Sequence, residues 1–167
     1  WDKVISYDQD SITLAQPALL DFGAAGKGYL VDILAALLGD GDFTIDAGGD
    51  IRHNGKPITV GLENPRDVSE AIGTVELANQ SLCASSGSRR AWGRYHHIIN
   101  PETVESPRDI LATWVLADDC LTADGLATAL FFVPAAKLQK FTFGYAILRD
   151  DMSLEHANMN ANIFTAA

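Results

Sequence analysis

Apolar positions change their period along the chain, and each change marks an element. Val4 to Ala15 carries two short apolar runs around a polar Asp8-Gln9-Asp10 turn, which predicts a pair of short strands. After Gly26 the spacing lengthens. Leu30, Val31, Leu34, Leu37 and Leu38 recur at helical intervals, and Gly39 stands where a helix would stop. Phe43 to Ile51, Ile58 to Leu62 and Thr74 to Leu77 are strand-like runs rich in Val, Ile and Thr, cut by Gly, Asn and Pro. Another short strand is expected at His97 to Asn100. Thr113 to Leu116 reads as a strand leading to a helix at Thr122 to Phe132, which Pro134 limits. A short helix near Ala135 to Phe141 and a strand at Tyr145 to Leu148 complete the pattern. The expected class is α+β: a mixed, largely antiparallel sheet with packed helices. No internal repeat, low-complexity stretch or interdomain linker interrupts it.

Composition narrows the picture. With 167 residues and 47% hydrophobic content the chain can bury one sizeable core and is about one domain long. Twelve Lys plus Arg against 22 Asp plus Glu leave a formal charge of −10, which argues against a nucleic-acid or anionic-membrane surface. Any phosphate must therefore be held by locally placed positive charge. Cys83 and Cys120 are the only cysteines, too few for a disulfide framework or a four-thiolate zinc site, and they leave the redox compartment open. No apolar run reaches transmembrane length, and the opening Trp-Asp-Lys-Val-Ile-Ser-Tyr-Asp resembles a strand rather than a signal peptide. Such an abrupt start is expected of a fragment or a processed form.

Three segments carry candidate chemistry. In Asp21-Phe-Gly-Ala-Ala-Gly-Lys-Gly-Tyr, three glycines (Gly23, Gly26, Gly28) permit close backbone approach at a helix start, and Lys27 adds a point charge. The spacing is neither that of a Walker A loop nor that of a dinucleotide fingerprint, so the loop taken alone reads first as a plain strand-to-helix turn. Asp21 stands out, because a carboxylate beside a phosphate must bind something else. Residues 85–101 gather three arginines, several hydroxyls and two histidines, the best local anion environment in an acidic chain; His97 could orient a substrate or move a proton, or be structural. Asp124 and Thr128, four residues apart, project from one helical face and suit a hard cation such as Mg²⁺; taken alone, a polar helix start is the preferred explanation. Asp46-Ala-Gly-Gly-Asp-Ile-Arg reads as a sharp turn with a local Asp50–Arg52 ion pair. His53 and His156 have no partner pattern, and no Ser/His/Asp hydrolase arrangement stands out.

In this order, the segments resemble the FAD:protein FMN transferases, the ApbE-like family. Asp21-Phe-Gly-Ala-Ala-Gly-Lys-Gly-Tyr-Leu-Val-Asp is similar to its Asp-leading, Lys/Glu-Gly-Tyr segment, and Ala47-Gly-Gly-Asp-Ile to its Gly-Gly-Asp turn. Ser85-Ser-Gly resembles Thr-Ser-Gly, His97-Ile-Ile-Asn-Pro resembles His-Ile-Ile-Asp-Pro, and Asp124-Gly-Leu-Ala-Thr-Ala-Leu resembles the Asp-x-x-x-Thr metal element. Asn100, Ser85 and Ala127 depart from the family's frequent Asp, its common Thr and, in some members, a further acidic ligand.

The resemblance implies Mg²⁺-dependent transfer of FMN from FAD to a threonine hydroxyl of an acceptor flavoprotein, releasing AMP. A noncatalytic flavin-nucleotide module and an FAD pyrophosphatase giving FMN and AMP are the alternatives. It implies that Asp21, Lys27 and Ile99 contact FAD, that the Ala24 carbonyl, Asp124 and Thr128 hold the metal, and that His97 lies near the reacting phosphate. His97 or Asp124 would assist deprotonation, with His97 preferred because a metal-bound carboxylate is the weaker base. It further implies one domain over residues 1–167 that lacks the N-terminal part of the family fold, and a cell-envelope or periplasmic location with any membrane anchor upstream, the cytoplasm being left open.

Overall fold

The computed structural model describes residues 3–164. Its first strands, β1 (Ile5–Tyr7) and β2 (Ile12–Leu14), pair antiparallel around Asp8, whose carboxylate accepts from the N–H groups of Asp10 and Ser11 at 2.9 Å each. Helix α1 (Gly26–Leu38) follows the glycine-rich turn and ends at Gly39, whose φ of 72° only glycine adopts at little cost. The strand expected over Phe43 to Ile51 is instead a hairpin of β3 (Phe43–Asp46) and β4 (Asp50–Asn54). Gly48 and Gly49 take φ of 73° and 102°, and Asp46 Oδ1 accepts from both of their N–H groups. That closes a turn where apolar content alone reads as continuous strand.

Next come β5 (Ile58–Asn64), β6 (Asp67–Leu77), β7 (Ser81–Ser86), β8 (Ala91–Trp92), β9 (Tyr95–His96) and β10 (Ile110–Ala117). Helix α2 (Cys120–Ala129), a 3₁₀ turn (Ala135–Leu138), β11 (Gly144–Arg149), β12 (Leu154–Ala157) and β13 (Ala161–Ile163) complete the chain. A six-stranded sheet runs β12-β11-β10-β7-β4-β3, and a three-stranded one runs β13-β6-β5. The pairings are antiparallel throughout, so the α+β expectation holds with the parallel component absent among the described residues. The expected strand at His97 to Asn100 does not form. β9 stops at His96, and Asn100 closes a turn in which its side chain accepts from the Glu102 N–H at 2.9 Å.

Strand β10 explains the layering. It is buried on both faces, so its sequence is an apolar run rather than an alternation. Val115 and Ala117 point to a core shared with α1 and α2; Ala112, Trp114 and Leu116 point to a second core shared with β5 and β6. Fully buried Val115 and Leu148 each contribute about 1.5–3 kcal/mol relative to exposure. Thr113, also buried, donates its hydroxyl proton to the Ala127 carbonyl at 2.6 Å, fixing α2 to the sheet. Helices, sheet and second sheet thus form three layers. Among the described residues no helix is long and apolar enough to cross a membrane.

Helix α1 docks by its small side. Gly28 and Val31 are its buried residues, whereas Leu30, Leu34, Leu37 and Leu38, which define its period in sequence, are 41–78% exposed.

Candidate functional site

Helix α1 begins without a cap of its own: Ala25 precedes it and no side chain of the same turn accepts its first N–H groups. The acceptor comes from α2. Buried Asp124 takes the Gly28 N–H on Oδ2 at 2.9 Å, across 96 residues of sequence. Asp32, one turn after Gly28, returns the interaction by accepting from the N–H groups of Cys120 and Leu121 at 2.8 Å each. Asp119 adds the ordinary cap of α2 through the Thr122 N–H at 2.7 Å. The two helix starts therefore lie side by side, each stabilised by the other's carboxylate. Glycine is required at position 28, because a Cβ there would lie 2.3 Å from the Cys120 carbonyl oxygen.

This junction forms one wall of a cavity of about 270 Å³. Asp124 Oδ2 is committed to Gly28, and Oδ1 makes no hydrogen bond among the described residues. One turn later Thr128 lines the same wall, its Oγ1 3.1 Å from Ser85 Oγ on β7. Ala24 lies over the start of α2: a Cβ on Gly125 would stand 3.9 Å from the Ala24 carbonyl oxygen. Carbonyl, carboxylate and hydroxyl are hard oxygen donors, the set Mg²⁺ accepts when water and substrate phosphates complete its shell. Among the described residues no three His, Cys, Asp or Glu side chains gather into a metal cluster. The residues present fit a cation held partly by its substrate, not one caged by protein.

Positive charge faces that wall. Lys27 Nζ sits 2.9 Å from Oδ2 of Asp50, which is fully buried while the lysine is 40% exposed. Neither oxygen of Asp50 receives a well-aligned hydrogen bond, so the contact is an ion pair. Burial raises the Asp50 pKa, the Lys27 ammonium pulls it back, and the charge of Asp124 adds to the rise. Asp50 therefore does not pair with Arg52 as expected from sequence. Arg52 reaches past it to Ser81 Oγ at 3.4 Å and to the Asp118 carbonyl, leaving the buried carboxylate to the nearer lysine.

The three arginines of the 85–101 segment separate by partner. Arg89 pairs with Glu63 at 2.8 Å, Arg94 stacks over Tyr95 at 4.9 Å, and Arg90 lines the cavity without an ion pair among the described residues. His97 also lines it, exposed, with its N–H donated to the Arg90 carbonyl at 3.1 Å. Partial burial, then the charges of Arg90 and His96, hold its pKa below the usual histidine value, which keeps the ring neutral near neutrality. His96 is structural: its Nε2 meets the Pro107 carbonyl at 2.7 Å.

Ile99 reaches the cavity at 39% exposure while Ile98 packs into the core. Asp21 lies at the rim, its Oδ1 accepting from the Gly23 N–H at 2.7 Å. All seven candidate residues from the sequence thus line one cavity. Asp50 and Asp32, which hold Lys27 and the start of α2, are missing from that set. Asp32 leaves a readable signal, since it shares a helical face with Gly28. A larger recess of about 590 Å³, lined by Gln80, Phe141, Tyr145 and Asn158 among others, contains no Lys, Arg or His in its walls and is poorly suited to a phosphate.

Comparison with known proteins places the chain in a family and a fold. The sequence pattern of the ApbE family matches residues 1–145. An FAD:protein FMN transferase of Haemophilus influenzae is 31% identical over 178 aligned residues, covering 95% of this chain and 47% of that protein. One from Vibrio cholerae is 30% identical over 125 residues, covering 66% and 37%. Among solved structures, the ApbE protein of Thermotoga maritima aligns with a TM-score of 0.78 at 24% identity, over 93% of this chain and 57% of that one. The flavin transferase ApbE from Vibrio cholerae aligns at 0.71 and 22%, over 92% and 55%. At these identities the solved structures share the fold. The chain spans about half the length of the relatives it matches, or somewhat less.

Proposed function

The chain belongs to the ApbE family, and from that premise we propose that its cavity binds FAD and serves Mg²⁺-dependent transfer of FMN to a threonine hydroxyl of an acceptor flavoprotein, with release of AMP. One observation carries the reading: the Ala24 carbonyl, Asp124 and Thr128 stand in the same cavity as Lys27 and Arg90, so oxygen donors for a cation face groups for an anion. A pyrophosphate with a bound divalent cation needs both. The relatives are named FAD:protein FMN transferases, which supplies the identity of the nucleotide and the class of acceptor.

Each residue has a separate task. Lys27, held by Asp50, and Arg90 neutralise pyrophosphate oxygens, while Asp21 and Ile99 contact the rest of FAD. Mg²⁺ bound at Ala24, Asp124 and Thr128 would supply further charge neutralisation as the bridge between FMN and AMP breaks. The neutral imidazole of His97 accepts the threonine hydroxyl proton as the threonine oxygen bonds to the FMN phosphorus and AMP departs on the opposite side. Asp124 would be the weaker base, with Oδ2 committed to the Gly28 N–H and its charge shared with a cation when one is bound. Little covalent chemistry falls to the protein, so positioning and charge carry the rate. The envelope location, with any anchor upstream, belongs to the same proposal.

Incubation with FAD, Mg²⁺ and a threonine-bearing acceptor peptide tests this. Covalent flavin on the peptide with an equal amount of AMP supports transfer. FMN and AMP without labelled peptide would replace it by hydrolysis, and unchanged bound FAD by a noncatalytic module.

A further inference from the structure

Cys83 and Cys120 take no part in the proposed reaction, yet the fold brings the chain's only two cysteines together. Cys83 lies on β7, paired with Asp50 of β4 and Val115 of β10, and its side chain belongs to the core beneath the helices. Cys120 opens α2. Their sulfurs are 3.3 Å apart, both residues are fully buried, and the Cys83 thiol also lies 3.6 Å from the Cys120 carbonyl. We propose that this pair is a covalent modification site, oxidised to an intramolecular disulfide that staples β7 to the first turn of α2. The proposal does not depend on the transferase reading.

The geometry is close to what the bond needs. A disulfide requires the sulfurs to approach to about 2.05 Å, a closure of roughly 1.2 Å, within reach of side-chain rotation and small adjustments of β7. Movement of the Cys120 backbone is restricted. Its N–H is held by Asp32, and its carbonyl lies against Gly28. No third cysteine competes, so only one intramolecular pairing exists. The staple would also tie together the two elements of the cavity wall, because Cys120 is one turn before Asp124 and Cys83 is two residues before Ser85, the partner of Thr128.

The co-reactant is a disulfide, either a small molecule such as oxidised glutathione or a protein oxidant. One cysteine thiolate attacks it, giving a mixed disulfide and one released thiol. The second cysteine then displaces the other half, so two cysteines lose two electrons and two protons, and the oxidant leaves as two thiols. In the folded protein this is slow. The hydrogen bond with Cys120, then burial and the charge of Asp50, push the Cys83 thiol far above its ordinary pKa, and no oxidant reaches it without opening of α2 from β7. Oxidation therefore accompanies folding, or follows the opening rate afterwards.

The test is refolding of the purified chain from urea in a buffer of oxidised and reduced glutathione, against a parallel sample in excess reductant. Both are quenched with an alkylating agent and examined by mass spectrometry and thermal melting. The expected product is a monomer two hydrogens lighter, unalkylated, with a peptide joining Cys83 to Cys120, and a thermal midpoint higher by roughly 5–15 °C. Two alkylated thiols at equilibrium, only glutathione adducts, or only disulfide-linked dimers would overturn the proposal. So would an intramolecular bond that lowers the midpoint, since the pair would then not be shaped for it.

Discussion

Replacement of Gly28 by alanine tests the helix junction that builds the site. In an isolated helix the change is favourable by up to about 1 kcal/mol. Here the added Cβ would lie 2.3 Å from the Cys120 carbonyl oxygen, 2.7 Å from its carbon and 2.9 Å from Asp124 Cβ. Two of these are backbone atoms that no rotamer change can move. Ordinary contact requires about 3.4 Å or more, so the helix starts must part by roughly 1.1 Å. Overpacking of this kind costs about 1–3 kcal/mol, and stretching the Gly28–Asp124 hydrogen bond, a charge-assisted one, adds about 1.5–3 kcal/mol when fully lost. The clash outweighs the propensity gain, and a net loss of about 2–4 kcal/mol is expected. Gly125→Ala is the internal control, because its new Cβ meets nothing closer than the Ala24 oxygen at 3.9 Å. It should gain about 0.5–1 kcal/mol. Urea unfolding of the parent and both variants, read as midpoints at constant slope, separates the two glycines. A Gly28→Ala variant as stable as the parent, or two glycines responding alike, would mean that the helix starts are not in contact at Gly28.

Three further perturbations address the site. Asp124→Asn retains an acceptor for the Gly28 N–H but removes the charge, so stability should change by less than about 1 kcal/mol while the Mg²⁺ needed for activity rises at least about tenfold; an unchanged Mg²⁺ titration would remove Asp124 from the metal site. Lys27→Met leaves Asp50 buried without its ion pair and should cost about 2–3 kcal/mol at neutral pH, below the range for a fully buried pair because the ammonium is 40% exposed. Asp50 already has a raised pKa, so the folded state binds its proton more readily than the unfolded chain does. The loss should shrink as pH falls through that raised value, and Asp50→Asn in the same chain should recover most of it; unfolding curves across pH read both. His97→Ala should lower transfer by at least about 10²-fold and flatten the acid limb of the rate profile, which in the parent lies below the usual histidine pKa because burial, Arg90 and His96 depress it; full transfer across pH would dismiss His97 as the base.

Much of the site was readable because its residues recur at fixed local offsets. Asp124 and Thr128 share a helical face by spacing alone, and the turn from Asp21 to Gly28 declares itself by its glycines. What joins them is long range. The Asp124–Gly28 and Asp32–Cys120 contacts span 96 and 88 residues; local spacing puts Asp32 on the face of Gly28 but names neither partner across α2. Asp50 misleads for the same reason: Arg52 is its neighbour in sequence, whereas Lys27 is its neighbour in the buried layer.

The same distinction governs the fold. The period of Leu30, Leu34, Leu37 and Leu38 locates α1, but the helix is apolar on more than one side, and Gly28 chooses the docked face by permitting close approach. Strand β7, Ser-Leu-Cys-Ala-Ser-Ser, escaped notice because a strand enclosed between neighbours is built here from small side chains rather than a strong β pattern. β12 and β13 are three or four residues long and find their place only by pairing with β11 and β6.

On the proposed function, FAD enters this cavity with a cation held at Ala24, Asp124 and Thr128. Titration of FAD by fluorescence quenching, with and without Mg²⁺, in the parent and in an Asp124→Asn/Thr128→Val variant measures it directly. Saturable binding that Mg²⁺ tightens at least about tenfold, with the tightening lost in the variant, is the expected result. Absence of FAD binding would exclude the cavity as its site, and Mg²⁺ tightening that survives in the variant would place the cation elsewhere.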